Sequence, residues 1–88
     1  MPHYSLKQIL TFIEVARERS VSKAAERLFV TQPAVSMQIK QLEETFGLAL
    51  LEPSGRNIRL TQAGNEFLTH AINAVAKFKD LEASMAEF

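Results

Sequence analysis

The sequence contains no cysteine, which excludes a disulfide framework and a cysteine metal site. Its three glycines are too few for a glycine-rich loop that cradles phosphate. No apolar run approaches the length of a membrane span, and the first three residues do not begin a signal peptide. The 88 residues suffice for one small domain. We therefore expect a small protein of the reducing cytoplasm with no membrane partner.

The chain also lacks the side-chain combinations that catalysis needs. Its two histidines are His3, near the amino terminus, and His70, in the last predicted helix, and Ser36 has no base within helical reach. Glu43 and Glu44 are neighbours near a helix end, which is typical of a solvated pair rather than an acid–base pair. We expect neither an enzyme nor a metal site, and no cofactor in this domain.

The charge is balanced overall but unevenly distributed. The chain has ten basic and ten acidic residues. Residues 17–59 carry seven basic and five acidic side chains, a net charge of +2, whereas residues 61–88 carry two basic and four acidic ones, a net charge of −2. A nucleic-acid surface would therefore be local, with few salt-dependent phosphate contacts.

The stretch from Ser22 to Phe46 has the pattern of two helices joined by a tight turn. Ser22 is placed to cap the first helix and Thr31 to cap the second, which Gly47 ends by tolerating a left-handed conformation. The paired alanines of the first helix, Ala24 and Ala25, allow a second helix to cross it closely. The second helix repeats apolar residues at spacings of four, three and four: Val35, Ile39, Leu42 and Phe46. This pattern predicts a helix-turn-helix, whose second helix lies in the DNA major groove.

The outward face of that second helix suits DNA. Up to Gln41 this face has no acid, and outside the apolar stripe it carries Gln32, Ala34, Ser36, Met37, Gln38, Lys40 and Gln41. Gln can pair with adenine, Ser can donate or accept, Ala can contact a thymine methyl, and Lys suits phosphate. The alternative is a solvated polar face. The paired alanines, the capped turn and the absence of acids favour DNA binding.

The segments on either side complete a small mainly helical fold. Ser5 and Gln8 form a capping box before a helix whose apolar residues cover more than one face: Leu6, Ile9, Leu10, Phe12, Ile13, Val15 and Ala16. A polar connection is expected at residues 17–20. After Gly47 we predict two short strands, Leu48 to Leu51 and Ile58 to Leu60, around the turn-rich residues 52–57. Arg56 is at the tip, placed to enter a minor groove. A plain loop is the alternative.

The last predicted helix is capped by Thr61 and continues without proline or glycine from Asn65 to Phe88. Its apolar residues form a heptad seam of Phe67, Ala71, Ala74, Phe78, Leu81, Met85 and Phe88. A second stripe contains Leu68, Ile72 and Val75. We expect one stripe to cover the first helix and the other to make a dimer. The alternative is that the whole helix packs within the monomer.

Several motifs together resemble the LysR-type transcriptional regulators of bacteria. They are Ala24-Ala25-Glu26-Arg27-Leu28, Thr31-Gln32-Pro33-Ala34-Val35-Ser36, Ile39-Lys40-Gln41-Leu42-Glu43, Leu50-Leu51-Glu52 and Thr61-Gln62-Ala63-Gly64. The resemblance covers essentially the whole chain. It implies a winged helix-turn-helix in residues 1–60 and a linker or dimerisation helix in residues 61–88. The run from Thr31 to Gln38 is similar to regulators of carbon-dioxide-fixation operons.

The same resemblance implies partners. Linker helices of the family pair antiparallel in a dimer, and two dimers usually form a tetramer on double-stranded promoter DNA with a pseudo-palindromic site. An effector-binding domain that responds to a small-molecule co-inducer would follow residue 88. RNA polymerase is a candidate partner, and the location would be the bacterial cytoplasm, at the nucleoid.

Residue by residue, the family's base-reading positions correspond to Gln32, Pro33, Ala34, Ser36 and Met37. Its phosphate-contacting positions fall near Ser22, Lys23, Thr31 and Lys40, and its wing arginine corresponds to Arg56. Many members have arginine in place of Met37 and of Pro53, so this chain is expected to differ in affinity and specificity. A protein-binding winged helix is the rival function. It would expose large apolar residues on the second helix, where only Met37 qualifies.

Overall fold

The computed structural model describes residues 2–88, which form four helices and one two-stranded antiparallel sheet. The elements follow the order α1 (Leu6–Glu18), α2 (Val21–Leu28), α3 (Gln32–Phe46), β1 (Leu51–Ser54), β2 (Asn57–Leu60) and α4 (Gln62–Ala86). The prediction of a mainly helical winged helix-turn-helix with a long last helix is therefore confirmed. No helix within residues 2–88 is long and apolar enough to cross a membrane.

Helix α1 begins at the predicted capping box. The Ser5 side chain accepts from the Gln8 backbone N–H at 3.2 Å, and the Gln8 side chain accepts from the Ser5 N–H at 3.0 Å. The helix runs two residues into the stretch expected to be a polar connection. Arg17 is held by Glu14 at 3.0 Å and lies in the last turn, where a cation is favoured by the helix dipole. The connection to α2 is therefore only Arg19 and Ser20.

Helix α2 is capped by Ser20, not by Ser22 as the sequence suggested. The Ser20 side chain accepts from the Lys23 backbone N–H at 3.2 Å. Ser22 lies inside the first turn, where its hydroxyl pairs with that of Ser20 at 3.1 Å. Starting the helix two residues earlier places Val21 in it and packs that side chain against the core, which accounts for the shift.

The core lies between α1, α2 and α3 and is closed by Leu50. Ala24 and Ala25 are both buried, as expected for a close helix crossing. Three members of the α3 stripe are buried, but Phe46 is 36% exposed because it lies at the end of the helix. Its aromatic neighbours are Tyr4 and Phe67.

The wing, residues 51–60, is a hairpin with a two-residue connection, Gly55-Arg56. A positive φ at Gly55 alone is the backbone pattern of a type II′ turn. The expected strands are confirmed, but the first begins at Leu51, so residues expected to form the turn belong to β1. Leu48 to Leu50 form no strand, because Leu50 is buried in the core and its N–H is bound by a side chain of α3.

That side chain is Glu43, which is half-buried and not a member of a solvated pair. Its Oε2 accepts from the backbone N–H groups of Leu50 at 2.8 Å and Leu51 at 3.3 Å. A carboxylate that accepts two N–H groups makes strong, charge-assisted hydrogen bonds. Glu43 therefore fixes the start of the wing to the end of α3.

Helix α4 is anchored to the same segment by its first turn. The Thr61 hydroxyl donates to the Ala49 carbonyl at 2.6 Å and accepts from the Gly64 N–H at 3.0 Å. The Thr61 N–H donates to the Leu50 carbonyl at 3.0 Å. The beginning of α4 packs on α1, whereas every residue from 76 to 88 is exposed, so the helix projects from the body of the domain.

Candidate DNA-binding surface

The exposed face of α3 carries most of the predicted base-reading residues. Gln32, Pro33, Ser36, Met37 and Lys40 are all exposed, with Met37 at 59%. Ala34 is half-buried at the edge of this face. The two acids of α3, Glu43 and Glu44, lie in its last turn, so residues 32–41 offer hydrogen-bonding groups and one positive charge without a carboxylate among them.

Gln38 does not belong to this exposed face. Its side chain is half-buried and accepts a hydrogen bond from the hydroxyl of Thr11, a buried residue of α1. One turn further on, the Gln41 side chain accepts from the Gln8 side chain at 2.9 Å. Both glutamines thus tie α3 to α1. The sequence could not indicate these pairs, because their partners lie 27 and 33 residues away.

Two helix N-termini supply groups that suit phosphate. Ser22 and Lys23 are exposed in the first turn of α2, and Thr31 caps α3 by accepting from the Ala34 N–H at 3.3 Å. A helix N-terminus carries a partial positive charge and favours anions. Both helices lack acidic residues in their first turns, so nothing there opposes a phosphate. Ser20 was missed in the sequence and completes the cap of α2.

Arg56 lies at the exposed tip of the wing. The other arginine of the hairpin, Arg59, is directly opposite Glu52 in the ladder and donates to it at 2.8 Å. The wing is also fixed to the body, since the Ile58 N–H donates to the Arg19 carbonyl at 3.3 Å. Arg56 is therefore the wing arginine that remains available to a ligand within the described residues.

The heptad seam of α4 divides between two environments. Phe67 packs edge-on against Phe12 with ring centroids 4.9 Å apart, and Ala71 is 4% exposed, so both contribute to the monomer's own packing. Ala74 is half-buried. The remaining apolar seam residues Phe78, Leu81 and Met85 are 45%, 55% and 55% exposed. Leu68 of the second stripe also packs against the core. Both stripes therefore contribute to the monomer near the start of α4, and the exposed part of the seam lies further along the helix, so the expected division into one intramolecular and one intermolecular stripe does not hold.

Within residues 2–88, no three or more histidine, aspartate or glutamate side chains are grouped so that they could hold a metal ion. His70 and Glu66 are 3.2 Å apart, and both are well exposed on α4.

Comparison with known proteins agrees with this geometry. A family model described as "Bacterial regulatory helix-turn-helix protein, lysR family" matches residues 6–65. The chain is 44% identical over 81 residues to the HTH-type transcriptional regulator CfxR of Cupriavidus necator, covering 92% of this chain. It is 42% identical over 80 residues to the RuBisCO operon transcriptional regulator of Allochromatium vinosum, covering 91% of this chain. The chain spans 26% of the length of each relative.

A similar fold occurs in a solved protein–DNA complex. The crystal structure of the BenM DBD/catB site 1 DNA complex matches with a TM-score of 0.85 and 36% identity over 94% of this chain and 92% of that one. The family match covers the helix-turn-helix, the wing and the start of α4. The chain therefore belongs to the lysR family of bacterial regulatory helix-turn-helix proteins, and it is a LysR-type DNA-binding domain and not an enzyme.

Proposed function

We propose that this domain recognises a specific double-stranded DNA sequence as a homodimer, with α3 in the major groove and the wing in the adjacent minor groove. The observation that carries this proposal is the exposed face of α3 from Gln32 to Gln41, which has no acid, together with the two helix N-termini and Arg56. The complex of BenM with DNA supports it, because that chain has the same fold.

Each exposed group has a role that its chemistry supports. Gln32 and Ser36 read base edges, Met37 contacts apolar groups such as a thymine methyl, and Pro33 and Ala34 shape the close approach. Phosphate is bound by Ser22, Lys23, Thr31 and Lys40, and Arg56 enters the minor groove. Gln38 acts differently from the sequence-based expectation: through Thr11 it holds α3 at its angle to α1.

The dimer is supported by the exposed part of α4. Phe78, Leu81 and Met85 form an apolar ridge on a helix segment that has no intramolecular cover. Full burial of such side chains is worth roughly 1.5–3 kcal/mol each, enough in sum to oppose the entropy of association. A two-fold dimer presents two recognition helices, so its DNA site is a pseudo-palindrome with half-sites a whole number of helical turns apart.

For the whole protein we propose residues 1–60 as the DNA-binding unit and residues 61–88 as a linker and dimerisation helix. An effector-binding domain for a small-molecule co-inducer, tetramer assembly on a promoter and contact with RNA polymerase are proposed by analogy with the family. The location that fits is the bacterial cytoplasm, at the nucleoid. A relative named for the RuBisCO operon supports a carbon-dioxide-fixation operon as the type of target.

The base-reading role is tested by selecting bound DNA from a random pool with the wild type and with Gln32→Ala. Loss of a bidentate base contact should cost roughly 1–3 kcal/mol on the preferred site and relax the preference at one position. Lys40→Ala is the matched control, because losing a phosphate contact should weaken all sequences alike and lower the salt dependence by about one counterion. An unchanged site preference for Gln32→Ala would show that Gln32 does not read a base.

The dimer is tested by sedimentation of Phe78→Glu beside Ile72→Glu. Both side chains are about half exposed on α4, but only Phe78 lies in the ridge. A charge in a buried seam should give monomers for Phe78→Glu and leave Ile72→Glu dimeric. A wild type that remains monomeric at high concentration would contradict the proposed dimer.

A further inference from the structure

The wing is held to the body of the domain at both of its strands. The Thr61 N–H, at the start of α4, donates to the carbonyl of Leu50, just before β1, at 3.0 Å. The Ile58 N–H in β2 donates to the carbonyl of Arg19, the C-cap of α1, at 3.3 Å. These two hydrogen bonds connect the wing to α4 and to α1, and neither of them involves the recognition helix α3.

The connection from the wing to α3 is made by one carboxylate oxygen. Oε2 of Glu43 accepts from the N–H of Leu50 at 2.8 Å and from the N–H of Leu51, the first residue of β1, at 3.3 Å. Leu50 is only 1% exposed, so without this carboxylate its N–H would be buried and unpaired. Glu43 lies just beyond the exposed face of α3 that ends at Gln41. It therefore links the base-reading helix directly to the base of the wing.

A small rotation at this link is magnified at the tip of the wing. Strand β1 advances about 10 Å from Leu51 to Ser54, and the side chain of Arg56 lies further out. A tilt of about 10° at Leu51 would therefore move the end of β1 by about 2 Å and the guanidinium of Arg56 by more. A side chain displaced by that distance no longer makes the same hydrogen bonds.

We propose that Glu43 is a positioning residue for DNA specificity: it sets the wing at the angle to α3 that lets Arg56 reach the minor groove while α3 occupies the major groove. This inference rests on the proposed DNA-binding mode and adds to it a residue that acts without contacting DNA. Two contacts on one rigid body reinforce each other, because the first sets the effective concentration at which the second forms. Glu43 supplies the rigid connection between the two.

The positioning role requires the reach of the Glu43 side chain and not its charge. Both N–H groups donate to the same oxygen, and glutamine has an amide oxygen at the same distance from the backbone. Aspartate keeps the charge but is one methylene shorter, so its carboxylate falls short of the wing. Positioning therefore predicts a nearly normal Glu43→Gln and an impaired Glu43→Asp. Repulsion between Glu43 and DNA phosphates, the other effect of an acid beside DNA, predicts tighter binding by Glu43→Gln and no change in Glu43→Asp.

The test is a double-mutant cycle between residues 43 and 56, measured by gel-shift titration on a site with A·T-rich flanks. In the otherwise wild-type chain, Arg56→Ala should weaken binding about tenfold, the effect of losing one charge-assisted contact. In the Glu43→Asp background the same change should weaken binding less than about twofold, because a misplaced wing no longer brings Arg56 to the DNA. In the Glu43→Gln background the tenfold loss should return.

A second variant and two controls separate positioning from general effects. Glu43→Met keeps the length of the side chain without an acceptor oxygen, so it should behave like Glu43→Asp. Glu44→Asp shortens the neighbouring, exposed acid and should leave the cost of Arg56→Ala unchanged. Gln32→Ala should cost the same in the Glu43→Asp background as in the wild type, because α3 keeps its own hydrogen bonds to α1.

The ratio of affinities on A·T-rich and G·C-rich flanks distinguishes a displaced wing from a loss of folded protein. A variant that is only less stable binds every site more weakly in proportion to its folded fraction, so this ratio stays at the wild-type value. Glu43→Asp and Glu43→Met should instead bring the ratio close to one, and Glu43→Gln should keep it.

The outcomes distinguish this inference from the proposed DNA-binding mode. A cost of Arg56→Ala that falls in Glu43→Asp and Glu43→Met and returns in Glu43→Gln supports the positioning role. An equal cost in every background, or a lost flank preference in Glu43→Gln, overturns the inference and leaves the wing contact intact. If Arg56→Ala has no effect in the wild type, the proposed wing contact fails and the inference fails with it.

Discussion

Gly64→Ala is expected to disrupt the junction between α4 and the rest of the domain. A Cβ added at Gly64 would lie 2.0 Å from the carbonyl oxygen of Leu50 and 3.0 Å from its carbonyl carbon. The clash is with backbone, which cannot rotate away. The first turn of α4 cannot move either without breaking the hydrogen bonds from Thr61 to the carbonyl groups of Ala49 and Leu50.

The expected loss of stability follows from two opposing effects. Alanine is favoured over glycine inside a helix by up to about 1 kcal/mol. Overpacking in a tightly packed site costs about 1–3 kcal/mol and occasionally more, and a 2.0 Å approach to a fixed backbone atom belongs at the upper end of that range. We expect a net loss of about 2–3 kcal/mol, a large part of the roughly 5–10 kcal/mol that holds a small domain together.

Urea unfolding followed by circular dichroism measures this loss, and Gly47→Ala is the matched control. A Cβ at Gly47 meets no atom within 4 Å, but its φ of +66° is unfavourable for alanine and should cost about 1–2 kcal/mol. Gly64→Ala should therefore be the more destabilised variant although its backbone conformation is ordinary. A loss smaller than that of Gly47→Ala would refute the close approach of α4 to Leu50.

Three further changes test the surroundings of the DNA-binding surface. Thr11→Val removes the hydroxyl that holds Gln38, and it should lower DNA affinity and change base preference while α3 stays helical, as shown by site selection and circular dichroism. Phe29→Gly should raise the free energy of unfolding by about 0.5–1 kcal/mol, because Phe29 has a φ of +57° and a side chain that is 94% exposed; a loss of stability in urea would contradict this. Arg56→Ala should weaken binding most on sites with A·T-rich flanks, since narrow minor grooves attract arginine; an equal loss in gel-shift titrations on G·C-rich flanks would indicate a phosphate contact only.

The sequence predicted well those parts of the fold that depend on neighbours within a few residues. The capping box at Ser5, the caps at Thr31 and Thr61 and the left-handed end at Gly47 are confirmed by φ angles and hydrogen bonds. Each of these signals connects groups three or four residues apart, so both partners are visible in one short segment of the sequence. The paired alanines Ala24 and Ala25 also predicted the helix crossing, because their side chains are small whatever residue lies opposite them.

Predictions were less accurate where two local signals compete. Ser20 and Ser22 are equally good helix caps, and burial of Val21 decides between them. The first strand was predicted to start at Leu48 because Leu48 to Leu50 have the composition of a strand, but β1 starts at Leu51. The contact of Leu50 with the core and its hydrogen bond to Glu43 fix that segment instead. Both decisions depend on tertiary packing that periodicity does not encode.

The candidate site shows the same division. Helical spacing correctly placed Gln32, Ser36 and Lys40 on an exposed face, because position on a helix determines which side chains share a direction. It also placed Gln38 there, and that residue is turned toward Thr11. A polar side chain at the border of the buried stripe can point to water or to a polar group on another helix. Only the position of α1 distinguishes the two.

In helix α4, one uninterrupted apolar pattern lies in two different environments along its length. Phe67 and Ala71 belong to the monomer, and Phe78, Leu81 and Met85 are exposed, yet their heptad spacing is identical. A repeat specifies that a face must be covered but not which chain covers it. The small residues Ala71 and Ala74 lie where α4 still packs on the domain, whereas the large residues Phe78, Leu81 and Met85 lie where it projects and are exposed. The end of the monomer's own packing is therefore set by where the body of the domain ends, which the repeat itself does not encode.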